Sequence, residues 1–241
     1  MSEARNQVVT GKDVAGAKSR RRWRWLRWST AALLALLLVL DIAFLPPLPK
    51  SRDTSTLVIA RDGTPLRAFA DAEGVWRYPA DAQTISPLYL QALLTYEDRW
   101  FWRHPGINPW ALLRAGKQML RERRIVSGGS TLTMQVARIL DPHTRTPWGK
   151  LKQVLRALQL EAHLSKAQIL DLYLEHAPYG GTIEGVEAAS WAYLGKPAAR
   201  LSHAEAALLA VLPQSPSRLR PDRHPEAARQ ARDKVLARMA E

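Results

Sequence analysis

The sequence predicts a mostly α-helical domain with a small β segment at its start, preceded by one transmembrane helix. Three observations carry this. Ser29 to Leu45 is an almost unbroken apolar run behind a cluster of arginines. Asp62-Gly63 sits as a tight-turn pair between two apolar stretches. From Ser86 onward, apolar residues recur at the 3.6-residue spacing of helices.

With 241 residues the chain holds one domain of about 150 to 200 residues plus an appendage. Hydrophobic and charged fractions of 46% and 24% are ordinary for globular proteins and exclude wholesale disorder or collagen-like architecture. The absence of cysteine excludes disulfides, thiol catalysis and zinc–cysteine sites. A net charge of +13 asks for an anionic partner, and the location of the charge decides which. Residues 1–28 carry eight Lys or Arg against two acids, a balance of +6 that leaves +7 for the rest.

The apolar run of residues 29–45 is long enough to span a membrane once Trp23, Trp25 and Trp28 extend it into the interface. The preceding arginines keep the N-terminus cytoplasmic and place everything after Leu45 on the opposite face. No Ala-x-Ala-type cleavage site follows, and LPPLPK gives a stiff exit, so the run reads as an uncleaved signal anchor. Arginines interleaved with tryptophans beside such a run suit a lipid interface, and nucleic acid is not expected as a partner. The expected organisation is a basic tail (1–28), an anchor (29–45), a linker (46–56) and one domain (57–241).

Within the domain, the turns at Asp62-Gly63 and Glu73-Gly74 predict two or three short strands between Thr56 and Tyr78. Leu88, Leu90, Leu93 and Leu94 mark a first helix. Asn108-Pro109 opens a second, carrying Leu112, Leu113, Met119 and Leu120. Ser165 with Gln168, and Ser202 with Glu205, are capping boxes that date two further helix starts. The small residues from Gly181 to Ala192 predict close helix packing, and a polar, basic helix closes the domain from Pro225 to Met239.

Three segments carry more chemistry than packing requires. Tyr96 to Gly106 places Glu97, Asp98, two arginines and His104 among aromatics, which suits a cleft wall where a desolvated acid gains basicity. The plainer alternative pairs Glu97 and Asp98 with Arg99 and Arg103 on a helix end. Ser127 to Arg138 brings two glycines and several hydroxyls to a helix start, a ready anion site. The alternative there is a simple loop capped by Ser130. Trp148 to Glu161 is an amphipathic helix with Lys150, Gln153 and Arg156 on one polar face, by default a solvated one.

In order along the chain, these segments resemble the signatures of the peptidoglycan glycosyltransferase module of class A penicillin-binding proteins. EDRWFWRHPG resembles its first signature, E-D-x-x-F-x-x-H-x-G, and GGSTLTMQ its second, GGSTLTQQ. KLKQVLRALQLE, SKAQILDLYLEHAPYGGTIEGVEAASWAYLGK and LSHAEAALLAVLPQSPSRLRP resemble the remaining three, so the likeness spans about Leu57 to Met239. It implies a lysozyme-like helical fold with a small jaw near the membrane. The implied activity is polymerisation of lipid II into β-1,4 glycan strands, with inversion and release of undecaprenyl pyrophosphate.

By the same resemblance Glu97 is the general base that takes the proton of the acceptor 4-hydroxyl. Lys150 and Arg138 serve the departing pyrophosphate, and Arg114, Ser130, Thr131 and Gln135 are further phosphate contacts. Asp98, Phe101, His104, Gly129, Gln153 and Glu161 complete the matched substrate-binding positions. A divalent cation, magnesium or manganese, often assists this chemistry. Partners implied are lipid II, the growing glycan, membrane lipids and other cell-wall synthesis proteins, at the bacterial plasma membrane with the domain outside.

Departures from the pattern are informative. The third signature, R-K-x-x-E, reads Gly149-Lys150-Leu151-Lys152-Gln153, and Met134 stands where the family has glutamine. A glutamine can hydrogen-bond a phosphate but cannot bind a metal as a carboxylate does. Lys152 or Arg156 is expected to restore charge, and Glu161 to supply an acid. No serine is followed three residues on by lysine, so transpeptidase chemistry is not expected. Two other readings stay open. One is a muramidase on the same fold, which GGSTLT beside an anchor disfavours; the other is a non-catalytic lipid II-binding or scaffolding module, which turnover distinguishes.

Overall fold

The computed structural model of the protein describes residues 25, 27–36, 39, 55–61, 65–110, 129–144 and 146–241. The chain divides into two compact units, Met1–Pro47 and Leu48–Glu241. In the first, residues 27–36 are helical and exposed. Among the described residues, no helix is long and apolar enough to cross a membrane. The tail through residue 24, the far end of the expected anchor and the linker through residue 54 lie outside the described residues.

The second unit begins with a hairpin, because two apolar stretches flank a turn pair. Strands β1 (Thr56–Ile59) and β2 (Pro65–Phe69) run antiparallel, with Thr56 opposite Phe69 and Val58 opposite Arg67. The Asp62-Gly63 turn lies outside the described residues. The second expected turn is closed by Asp71, whose Oδ1 accepts from the backbone N–H groups of Glu73 and Val75, and it feeds β3 (Trp76–Arg77).

Helix α1 (Pro87–Glu97) starts where Pro87 pre-sets the first turn, and it buries Tyr89, Ala92 and Leu93. A single 3-10 turn, Phe101–Arg103, follows it. Asn108-Pro109 does open a helix at residues 109 and 110, but Leu112, Leu113, Arg114, Met119 and Leu120 lie outside the described residues. Then come α2 (Leu132–Leu140), α3 (Pro147–His163) and α4 (Lys166–His176). Both capping boxes form: Ser165 with Gln168 starts α4, and Ser202 with Glu205 starts α6 (His203–Val211).

The stretch expected to be packed helix from Gly181 is shared between strand and helix. Pro178 cannot continue α4, and Gly180-Gly181 turns the chain back on itself. Strands β4 (Pro178–Gly180) and β5 (Ile183–Glu184) result, and only Val186–Leu194 is helical, as α5. Strand β5 lies between β3, to which it is parallel, and β4, to which it is antiparallel. Buried Arg77 ties this sheet together, with Nη2 2.7 Å from Glu184 Oε2 and Nη1 3.2 Å from Asp71 Oδ2. The last helix, α7, spans Pro225–Met239 as expected.

Helix α1 packs against α6 and α7, while α2 packs against α3 and α4. Tyr89, Leu93, Phe101, Leu132, Leu160, Leu170, Leu174 and Leu209 form the shared core. Each fully buried leucine contributes roughly 1.5–3 kcal/mol, which holds the ends of α1 and α2 in a fixed relation.

Candidate active site

Glu97 is the last residue of α1 and sits recessed and half-buried. Two amides grip it. Gln135 Nε2, from the first turn of α2, donates to Oε2 at 2.7 Å. Gln214 Nε2, at the end of the 3-10 turn Leu212–Gln214, donates to Oε1 at 2.7 Å. Burial pushes the Glu97 pKa above the usual carboxylate range, the two amide bonds work against that rise, and the neighbouring Asp98 charge adds to it. Neither Arg99 nor Arg103 pairs with it; Arg103 stacks on the Trp100 ring at 4.8 Å.

The neighbouring acid does a different job. Asp98 is buried, and both its oxygens accept from His104 Nε2 at 2.9 and 3.0 Å. Its Oδ2 also accepts from the Leu132 backbone N–H at 2.9 Å. A carboxylate at the first residue of a helix satisfies an otherwise orphaned donor and sits favourably on the helix dipole. Gly106 completes the joint. Its carbonyl accepts from Thr131 Oγ1 at 2.5 Å, its φ is +78°, and a Cβ there would sit 2.7 Å from Glu161 Cγ. Phe101, fully buried, packs beneath.

The glycine-rich loop reaches the helix in a different way from the one its sequence suggests. Thr131, not Ser130, caps α2, accepting from the Met134 N–H. Ser130 is thereby released and accepts from Lys150 Nζ at 2.6 Å. Lys150 also donates to Gln153 Oε1 at 3.0 Å. Its pKa is lowered, first by burial and then by repulsion from Arg138, which lies exposed one turn beyond Gln135 on α2. Gly129 is half-buried beside Ser130, and Arg114 lies outside the described residues.

The polar face of α3 is not solvated. Gln153 and Arg156 are 5% and 3% exposed. Gln153 Nε2 donates to the Met134 carbonyl at 2.5 Å, and Arg156 Nη1 donates to Gln159. Gln153, one of the three departures from the signatures, is therefore bound to the backbone of another, Met134. Gly149 has its own reason: a Cβ there would lie 2.1 Å from the Thr144 carbonyl oxygen, so a larger residue needs the preceding loop to move. Glu161 stands apart from Glu97, its Oε1 accepting from Thr133 Oγ1 and Lys166 Nζ, each at 2.6 Å. Lys152 is exposed.

This donor set does not suit a divalent cation. Gln153 Oε1 is taken by Lys150, its nitrogen by a carbonyl, and Asp98 by His104 and Leu132. Among the described residues no three His, Asp or Glu side chains are grouped as metal ligands.

Two features went unread in the sequence. Gln214 follows an apolar helix and a proline, a place where a glutamine looks like ordinary surface. Beneath Glu97 lies a buried tyrosine group. Tyr89 and Tyr179 share a hydroxyl hydrogen bond of 2.6 Å, and the Tyr173 hydroxyl has no partner among the described residues. Burial raises the pKa of Tyr89 and Tyr173, and the Glu97 charge adds to the rise. The signal available was the apolar spacing that carries Tyr89 and Tyr173 to the inner faces of α1 and α4.

Comparison with known proteins places this arrangement. A family model described as Transglycosylase matches residues 62–240. The chain is 58% identical over 221 residues to penicillin-binding protein 1C of Escherichia coli K12, covering 91% of this chain and 29% of that protein. It is 43% identical over 166 residues to penicillin-binding protein 1A of Aquifex aeolicus, covering 68% of this chain and 23% of that protein. The biosynthetic peptidoglycan transglycosylase of Laribacter hongkongensis is 32% identical over 198 residues, with 80% of this chain and 86% of that protein covered. The chain thus spans under a third of the two penicillin-binding proteins and most of the transglycosylase. A single match that takes in both Glu97 and the Ser130–Lys150 group makes this chain a member of the transglycosylase family.

Proposed function

We propose that this chain is a peptidoglycan glycosyltransferase that joins lipid II units into β-1,4 glycan. The observation that carries the reading is one recessed carboxylate, Glu97, linked through α2 to a cationic, hydroxyl-rich loop end. Gln135 binds Glu97, Ser130 binds Lys150, and Arg138 stands on the same helix. Glu97 accepts the proton of the acceptor 4-hydroxyl as that oxygen attacks the donor anomeric carbon. The bond from that carbon to the pyrophosphate oxygen breaks, and its electron pair leaves with the undecaprenyl pyrophosphate. Lys150, Arg138 and Ser130, with Arg114 by the resemblance, serve the departing charge, which is greatest in the transition state, where placed donors act most strongly; Thr131, its hydroxyl taken by Gly106 and Met134, holds the start of α2 instead. His104, Asp98 and Phe101 hold the two halves of the site together, and Gly129 lets backbone approach the phosphates. The same reading places the protein in the bacterial plasma membrane on one span, with the domain outside and the N-terminus in the cytoplasm; it rests on the arginine-flanked apolar run.

The test is incubation of the detergent-solubilised full chain with labelled lipid II, with and without a divalent cation, beside Glu97→Gln. Long glycan from the native chain and none from the variant is expected. Lipid II retained by both proteins with no polymer from either would make this domain a binding or scaffolding module instead.

A further inference from the structure

Gln214 is exposed, yet its amide lies on the one carboxylate the proposed chemistry needs, 117 residues away in sequence. Its root is fixed. Val211 and Leu212 just before it are buried, Pro213 restricts the turn, and the Ser215 N–H closes the turn onto the Leu212 carbonyl at 3.1 Å. A side chain on so firm a base holds its hydrogen bond at less entropic cost than an ordinary surface glutamine.

We propose that Gln214 is a positioning residue for Glu97: with Gln135 it grips the two carboxylate oxygens from separate elements and fixes the direction the carboxylate presents to the acceptor hydroxyl. This rests on the glycosyltransferase reading above. An amide is the group type this task requires. A lysine or arginine at the same place would form an ion pair and weaken the base, whereas a neutral N–H donor orients the carboxylate and leaves each oxygen a further lone pair for the incoming proton. The two grips differ in access. Gln135 belongs to the packed α2 helix and is half-buried, while Gln214 is exposed to solvent.

The groups around Glu97 define what a pH measurement reads. Asp98 is its neighbour, Tyr89 comes from α1 and Tyr173 from α4, while α2 and the Leu212–Gln214 turn contribute neutral amides. On α6, Glu205 is held by Lys196 and Ser202 at that helix's start. On α7, the charged pairs are Arg229 with Glu226 and Arg232 with Asp233.

The experiment compares the native full chain with Gln214→Met, which keeps the length without the N–H, and Gln214→Glu, which sets a second carboxyl against the first. Because the side chain is exposed, both variants are expected to fold, checked by an unchanged thermal midpoint. A donor to a charged group favours its ionised form, so losing it moves the acid limb of the kcat profile upward by roughly half to one pH unit. Gln214→Glu moves it further in the same direction, since two adjacent carboxyls share a proton. KM for lipid II stays within about twofold in Gln214→Met. An unmoved acid limb in both variants overturns the proposal, as does an equal loss at every pH with raised KM, which would mark a substrate contact. Titration of the Glu97 carboxyl by NMR in glutamate-labelled protein, assigned by its disappearance in Glu97→Gln, reads the same shift without turnover. A native chain that makes no polymer at any pH sinks the glycosyltransferase reading, and this titration still decides whether Gln214 acts on Glu97.

Discussion

The backbone N–H of Leu132 donates to Asp98 Oδ2 at 2.9 Å, and through this bond the end of α1 and the start of α2 meet. Glu97 precedes Asp98, and Gln135 lies one turn beyond Leu132. One buried carboxylate therefore sets the distance between the base and the amide that grips it.

Removing that carboxylate leaves two buried donors without partners. Asp98→Ala is expected to destabilise the domain by about 1–3 kcal/mol, the usual cost of stranded buried polar groups. A urea titration should show a lower midpoint at unchanged slope. If the midpoint does not move, the bond from Leu132 to Asp98 is incidental.

Catalytic pH dependence follows from two displaced groups. Glu97 must be deprotonated to act as base, and burial raises its pKa, so the acid limb lies above the ordinary carboxylate range. Lys150 must be protonated to serve a pyrophosphate, and burial with Arg138 lowers its pKa, so the alkaline limb lies below the ordinary lysine range. The profile of glycan synthesis against pH is expected to be a bell narrowed from both sides. Arg138→Gln should move the alkaline limb up and leave the acid limb in place; movement of both limbs together would show that the assignment is wrong.

Restoring the signature residue at Gly149 should harm the protein. A Cβ at this position meets the Thr144 carbonyl at 2.1 Å, and relieving that contact displaces the loop ahead of α3. Gly149→Arg is expected to lose about 1–3 kcal/mol of stability, within the range of steric insertions into packed sites. Thermal unfolding of the variant at neutral pH provides the measurement, and an unchanged midpoint would mean the loop yields freely.

Restoring the signature residue at Gln153 has a pH-dependent cost. The glutamine amide donates to the Met134 carbonyl, and an ionised carboxylate cannot. Gln153→Glu should therefore be less stable than the native chain at pH 8, and the gap should close as pH falls and the new carboxyl regains a proton to donate. A gap that widens on acidification would show that the gain from Lys150 outweighs the lost bond.

The elements recognisable in advance were those whose cause is local. Capping boxes at Ser165 and Ser202 need only a hydroxyl and an amide or carboxylate three residues on, and α7 was legible as a polar, basic helix opened by Pro225. The first signature likewise singled out Glu97 beside an apolar helix, and the structure makes it the last residue of α1. The Thr131 cap was less legible, because Ser130 and Thr131 are equally good caps by type, and only the reach of Lys150 decides which hydroxyl is left for it.

What the sequence alone determined is the succession of a short hairpin and capped helices, together with the residues able to act as base and cations. Tertiary structure decided which partners those residues keep. Packing of α2 on α3 turned a seemingly solvated face inward and tied Gln153 to Met134. Packing of α1 on α6 brought Gln214 to Glu97 across 117 residues. The physical reason is range: helix caps and turns close within a few residues, while the hydrogen bonds that set a carboxylate's direction and basicity form only once the core has fixed distant backbones beside each other.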